Sequence, residues 1–187
     1  YHSKKEKNKI IGTGSLRRKA QWLRKYPEYN VENLRGNIQK RLEKLEQSCW
    51  SGAVFSQAGI ERLGLSSINY EPLDWMISAP AQGVIGIASL NSNRKIQPYL
   101  RKINCEQTEL CVKVERTFLN ILEGGCSAPI GAYSKIENNT LVFKGGLFSL
   151  DGKEAITLND QIPLNQYKEF GEKAARKILK QGGVSLL

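Results

Sequence analysis

Residues 9–26, "KIIGTGSLRRKAQWLRKY", decide the first half of the fold. An apolar pair runs into a glycine turn, and a basic amphipathic segment begins at once after it. "KIIGTG" predicts a short buried strand. Ser15 is placed to cap a helix whose Leu16, Ala20 and Leu23 recur at helical spacing until Pro27 ends it. The same alternation repeats downstream. "YNVENL" (29–34) predicts a strand, "NIQKRLEKLEQ" (37–47) a helix with Ile38, Leu42 and Leu45 on one side, and "GAVFS" (52–56) a strand. "QAGIERLGL" (57–65) reads as a helical turn and "DWMIS" (74–78) as another strand. A β-α-β-α-β rhythm predicts an α/β layer with a mostly parallel sheet.

"GVIGIASL" (83–90) is strand-like, and "SNRKIQPYLRKI" (92–103) is expected to be helical in part despite Pro98. After Asn104 the pattern changes. Residues 106–125 predict a long amphipathic helix with Leu110, Val114, Thr117, Phe118, Ile121 and Leu122 as its apolar stripe and Cys111 on or beside it. Gly124 and Gly125 supply a left-handed stop. Strands are expected over 130–136, 140–150 and 154–158, with turns at Glu137–Thr140 and Asp151–Gly152, and a last helix from Leu164 to Gln181. Residues 106–187 thus predict a separate α-β-β-β-α unit.

The chain has 187 residues, 40% hydrophobic and 25% charged, with a net charge of +10. Residues 1–50 carry 13 Lys and Arg against 5 Asp and Glu, which places most of the excess there. Such a balance suits an acidic partner: nucleic acid, an anionic surface, or a carboxylate or phosphate ligand. No apolar run is long enough to span a bilayer and the first residues do not form a secretory signal, so a cytoplasmic protein is expected. Cys49, Cys105, Cys111 and Cys126 follow no paired framework, and the single histidine, His2, is remote from them, so no metal site is expected. Cys126 stands apart in "LEGGCSAPIG" (122–131), presented after two glycines where a helix stops. With no histidine to serve as its base, a tether fits it better than a hydrolytic nucleophile.

Two strand-to-helix corners carry arginine: "GTGSLRRK" (12–19) and "NLRGNIQKRLEKL" (33–45). Glycine turns at helix N-termini offer free N–H groups, and guanidinium forks match carboxylate or phosphate geometry. Neither corner holds a nucleotide-binding glycine pattern. Arg62 in "QAGIERLGL" and the small-residue loop "APAQG" (79–83) are further candidates.

In this order and spacing, "GTGSLRR", "LRGNIQKRL", "AGIERLGL", "AQGVIGI" and "LEGGCSAPIG" resemble the porphobilinogen deaminase (hydroxymethylbilane synthase) family. The resemblance implies that Cys126 anchors a dipyrromethane cofactor through a thioether. Four porphobilinogen units would then be joined in turn with loss of ammonia, and hydrolysis would release hydroxymethylbilane. It assigns Thr13, Ser15, Arg17, Arg18 and Asn37 with Cys126 to cofactor binding. Arg35, Arg41, Arg62 and Gln82 fall to the carboxylates of porphobilinogen and the growing polypyrrole. It further implies a periplasmic-binding-protein-like α/β domain over residues 1–82, a segment of the family's first domain over 83–105, and a small α+β domain over 106–187.

The family's catalytic aspartate belongs to a stretch upstream of the matching residues. Asp74, Asp151 and Asp160 stand in other contexts, so the resemblance implies no catalytic residue in this chain. The chain is therefore expected to be the C-terminal portion of a deaminase, inactive alone, with the family's N-terminal domain as its partner. Gly52 and Ala88 replace acidic residues usual in the family. A non-catalytic anion-binding remnant is the alternative. A nucleic-acid-binding module is a weaker one, because the arginines sit at glycine turns and no recognition helix or stacking platform is present.

Overall fold

The protein is described here by a computed structural model covering residues 8–64, 68–122 and 128–187. His2, Leu65, the Gly124–Gly125 stop and Cys126 lie outside the described residues.

The opening repeat forms a three-stranded parallel sheet in the order β2-β1-β3, from β1 (Asn8–Gly12), β2 (Asn30–Glu32) and β3 (Trp50–Ala53). Helix α1 (Leu16–Lys25) connects the first two strands and α2 (Ile38–Gln47) the second pair. Ser15 caps α1 by accepting from the Arg18 N–H at 3.4 Å, and Asn37 caps α2 by accepting from the Lys40 N–H at 2.9 Å. Leu34, Leu45, Trp50 and Ala53 form one small core and Ile11, Trp22 and Val54 another. Tyr26 and Tyr29 lie against the Trp22 ring at centroid distances of 4.8 and 5.7 Å.

The face of α1 differs from the predicted stripe. Leu16 is 41% exposed, whereas Arg17, Ala20, Gln21 and Trp22 are buried. This helix packs against the sheet through Trp22 and meets residues 77–82 through Arg17 and Gln21, so two of its buried side chains are polar. The short α3 (Gln57–Arg62) follows β3.

Two predicted strands are absent. Residues 74–78 form a turn and an extended strap that touches the second sheet through one backbone bond, Ala132 N–H to Ser78 O at 3.0 Å. Residues 83–90 form no strand, and Val84, Ile85, Ile87 and Leu90 are 43–76% exposed. A strand needs a neighbour for its N–H and C=O groups, and among the described residues none lies alongside this segment. Helix α4 (Gln97–Ile103) is the helical part of the following stretch.

The C-terminal unit follows the predicted order. Helix α5 (Glu106–Ile121) leads to an antiparallel sheet of β4 (Ile130–Glu137), β5 (Thr140–Phe148) and β6 (Ala155–Pro163). Asn138 and Asn139, with φ of 47° and 61°, make the two-residue β4–β5 turn that favours such residues. Leu164–Glu169 forms a 3₁₀ turn before α6 (Phe170–Lys180). Thus β6 runs five residues further than predicted, and the last α-helix starts later.

Cys111, Val114, Phe118 and Leu122 of the α5 segment pack on Leu141, Phe143, Ala174 and Ile178. Phe118, Phe143 and Phe170 meet edge to face at 5.2 and 5.3 Å, so aromatic geometry adds to simple burial. Burial also pushes the Cys111 thiol up, which suits a packing role.

Phe118 is fully buried at the centre of this cluster. Phe118→Ala is expected to lower unfolding stability by about 3–5 kcal/mol, measured as a shift of the urea midpoint without a change of slope.

Candidate functional site

A cavity of about 440 Å³ opens where β1 and β2 end. Its wall comes from the β1–α1 corner (Thr13, Gly14, Ser15, Arg17, Arg18), the β2–α2 corner (Leu34, Arg35, Arg41) and the loop Ala79, Pro80 and Gln82. Ligands of parallel α/β sheets bind at the carboxyl ends of the strands for the same topological reason.

The two corners approach closely enough to demand glycine. A Cβ on Gly14 would lie 2.6 Å from the Leu34 carbonyl oxygen. Thr13 is buried, and its Oγ1 accepts from the Ser15 N–H at 3.3 Å, which tightens the turn in front of the helix. Arg18 donates to the Val54 carbonyl at 3.2 Å, tying the site to the end of β3. The Arg41 Nε–H donates to the Gly36 carbonyl at 2.7 Å. Arg35 is exposed at the rim.

Arg17 is the most enclosed of the four, at 9% exposure. Its Nη1 donates to the Ile77 carbonyl oxygen and its Nη2 to Gln82 Oε1 at 2.9 Å. Burial, with Arg18 beside it, lowers its pKa from the ordinary guanidinium value to about 10. Burial, with Arg41 nearby, also lowers Arg18. Both remain cations at neutral pH. Four guanidinium groups share this cavity, and no Asp or Glu is among its lining residues. The helix α1 N-terminus adds its partial positive charge. Such a wall attracts an anion carrying several carboxylate or phosphate groups.

Of the expected site residues, Thr13, Ser15, Arg17, Arg18, Arg35, Arg41 and Gln82 therefore converge on one cavity. Asn37 and Arg62 do not line it: Asn37 is engaged as the cap of α2, and Arg62 lies exposed on α3. Cys126 is outside the described residues. Among the described residues no acidic, cysteine or histidine cluster could hold a metal, and no helix is long and apolar enough to cross a membrane.

The sequence reading missed Gln21 and Glu115. Both are polar residues in the middle of a buried helix face, at 3% and 5% exposure. Glu115 lies beside Val114 and one turn from Cys111 and Phe118, a position where a charge signals a specific partner.

The family model described as "Porphobilinogen deaminase, dipyromethane cofactor binding domain" matches residues 2–98, which include every residue lining this cavity. The chain belongs to the porphobilinogen deaminase family. A second model, the porphobilinogen deaminase C-terminal domain, matches residues 109–180. The porphobilinogen deaminases of Desulforamulus reducens, Methylobacillus flagellatus and Desulfitobacterium hafniense are 35%, 37% and 38% identical over 179, 181 and 182 residues. Each alignment covers 95% of this chain and 58% of the relative, so the chain spans little more than half the length of these curated relatives. The parallel sheet lies within the first matched region and the antiparallel sheet within the second.

The shifted pKa has a directional consequence. The folded value, about 10, lies below the unfolded one, so the charged folded form of Arg17 carries a cost of about 3 kcal/mol. That cost is fully present below pH 10 and is relieved as the pH rises from about 10 towards the ordinary guanidinium value. An anion in the cavity offsets it by supplying the missing counter-charge. Citrate affinity, followed by titration calorimetry, is expected to be level from neutral pH upward and to fall as the pH passes about 10. A fall beginning near neutrality would assign the binding to a group other than Arg17.

Proposed function

We propose that this chain contributes the cofactor- and substrate-carboxylate site of a hydroxymethylbilane synthase, which condenses four porphobilinogen molecules with loss of ammonia. The observation that carries the reading is the acid-free cavity walled by Arg17, Arg18, Arg35 and Arg41, within the residues matched by the cofactor-binding family model. Each pyrrole unit of such a substrate carries an acetate and a propionate. A lengthening chain accumulates negative charge that repels itself, and fixed guanidinium groups neutralise it while holding the reacting ends in place.

The donor set suits a dipyrromethane, a small polycarboxylate, in the number and sign of its charges. Thr13, Ser15, Arg17 and Arg18 would hold its carboxylates from the α1 side, with Cys126 as the covalent anchor. When bound, the group supplies the free pyrrole α-position to which further units are joined. Arg35, Arg41 and Gln82 would hold the carboxylates of the incoming unit and the growing polypyrrole. Asn37 would act by fixing the start of α2 and thereby Arg41, and Arg62 would meet a longer polypyrrole outside the cavity. No residue here is assigned to proton transfer in the loss of ammonia.

The domain reading follows the same frame. Residues 1–82 would belong to a periplasmic-binding-protein-like α/β domain, supported by the parallel sheet with its cavity at the strand ends. Residues 83–105 would pack against the part of the relatives that this chain does not match. That is consistent with the exposure of Ile85, Ile87, Leu90, Tyr99 and Ile103 at 60–76%. Residues 106–187 would form the cysteine-bearing domain. A cytoplasmic location is consistent with Cys49, Cys105 and Cys111 being free thiols.

The deciding experiment is the intact mass of the protein purified from its own host, followed by mapping of the Cys126 peptide. A dipyrrole on Cys126 is the expected result. A bare Cys126 with citrate binding retained would reduce the function to anion binding without catalysis. In a protein that turns over porphobilinogen, Arg18→Gln is expected to lower kcat/KM by about tenfold or more, because it removes one charge-assisted carboxylate contact.

A further inference from the structure

Residues 77–82 form a strap between the C-terminal unit and α1, and each end of it reaches Arg17. On the α1 side, the Ile77 carbonyl accepts from Arg17 Nη1 and also from Gln21 Nε2 at 3.0 Å, while the Ile77 N–H donates to Gln21 Oε1 at 2.7 Å. Gln82 Oε1 accepts from Arg17 Nη2 at 2.9 Å and from the Ala79 N–H at 3.1 Å. Both terminal nitrogens of the Arg17 guanidinium are therefore directed by acceptors on the strap.

The other side of the strap is held by three separate ties. The Ile77 side chain rests on Gly131 and Gly146, which are cross-strand partners in the antiparallel sheet. A Cβ on Gly131 would come within 2.9 Å of Ile77 Cβ and Cγ2, and one on Gly146 within 3.2 Å of Ile77 Cδ1. Two paired glycines thus leave a socket shaped for one isoleucine. Ser78 is tied by the Ala132 N–H to its carbonyl oxygen at 3.0 Å and by its own hydroxyl to the Ala132 carbonyl at 3.3 Å.

The third tie is the buried Glu115 of α5. Its Oε2 accepts from the Ala81 N–H at 2.7 Å, and its Oε1 accepts from the Ser134 N–H at 2.6 Å and the Ser134 hydroxyl at 2.8 Å. Ala81 holds a left-handed φ of 58°, an unfavourable state for alanine that its surroundings must maintain. One carboxylate at 5% exposure therefore links the centre of α5, the edge of β4 and the turn that presents Gln82.

We propose that Glu115 is a positioning residue for the anion cavity: through the Ala81 N–H it fixes the 77–82 strap, and the strap fixes the direction of the Arg17 guanidinium. The C-terminal unit then governs the orientation of an arginine on the other unit without touching the ligand. The inference rests on the carboxylate-binding reading only where affinity is concerned. The geometry of Arg17 can be read without any ligand.

Glu115→Gln discriminates this role from plain packing. The amide keeps the side chain's shape but has one oxygen for three donors. With that oxygen on Ser134, the NH2 group faces the Ala81 N–H, so the strap tie is lost. Gly131→Ala disturbs the strap at a different tie, by displacing Ile77. Two measurements on the full chain decide the matter.

Nitrogen-15 spectra of the Arg17 guanidinium, with no ligand present, should show separate, slowly exchanging Nη signals in the parent protein. Both variants should average them while retaining the parent far-ultraviolet circular dichroism. Citrate affinity should fall by about tenfold in Glu115→Gln, and this loss should vanish in the Arg17→Gln background, since the two changes act through one group. Unchanged Arg17 signals in folded variants, or additive losses in the double variant, would overturn the proposal. If the parent protein bound no citrate, the anion reading would fail, and the guanidinium spectra would still decide the role of Glu115. Should one variant not fold, the other tests a separate tie to the same strap.

Discussion

A guanidinium group taken out of water must have its charge answered and its donors used. Arg17 sits 9% exposed with one terminal nitrogen on the Ile77 carbonyl and the other on Gln82 Oε1, and much of the architecture serves that arrangement. Helix α1 must start where Ser15 caps it. The β1–α1 and β2–α2 corners must meet across Gly14, and residues 77–82 must lie between two units, extended at Ile77 and Ser78 and turning at Ala81. Hydrogen bonds to carbonyl oxygens satisfy the donors but do not neutralise the charge. The remaining attraction is available to an anion, and three further arginines line the same cavity.

The two halves divide the work by their physics. The C-terminal unit has the large apolar core, with Phe118, Phe143 and Phe170 interlocked and α5 and α6 covering one face of the sheet. The parallel sheet has two small clusters and spends many of its residues on polar corners. A rigid antiparallel sheet can hold the strap in register because its paired glycines admit Ile77 and its first strand bonds Ser78. Preorganised donors bind an anion more tightly than mobile ones, since their ordering does not have to be supplied on binding.

Membership of the porphobilinogen deaminase family gives this charge pattern a chemical context. The matched regions contain the arginine cavity and the antiparallel unit, while the chain spans 58% of the length of relatives such as that of Desulforamulus reducens. Residues 83–103 have the apolar composition of buried structure, yet Ile85, Leu90 and Ile103 are 65–76% exposed. Their hydrophobicity and their surroundings disagree here, and apolar surface of this kind is ordinarily covered in a working assembly.

Local chemistry was enough to read most of the elements. Periodicity and turn residues placed β1, β2, α1, α2, α5 and the β4–β6 meander, because each is decided by neighbours within a turn or a hairpin, whereas β3 is predicted over 52–56 and forms at Trp50–Ala53. Glycine corners with arginine marked the two strand-to-helix turns that wall the cavity, for the same local reason, and the family resemblance assigned Thr13, Ser15, Arg17, Arg18, Arg35, Arg41 and Gln82 within it. Where pairing partners lie far away in the chain, local pattern misled: 74–78 and 83–90 have strand-like composition but lack a ladder to join. The Asn37 and Arg62 positions relative to the cavity, the polar buried face of α1, and the bond from Glu115 to Ala81 depend on contacts 34 to 65 residues apart in the case of the strap. Only tertiary structure could decide those, because a hydrogen bond across that distance is set by how two units pack and leaves no period in the sequence.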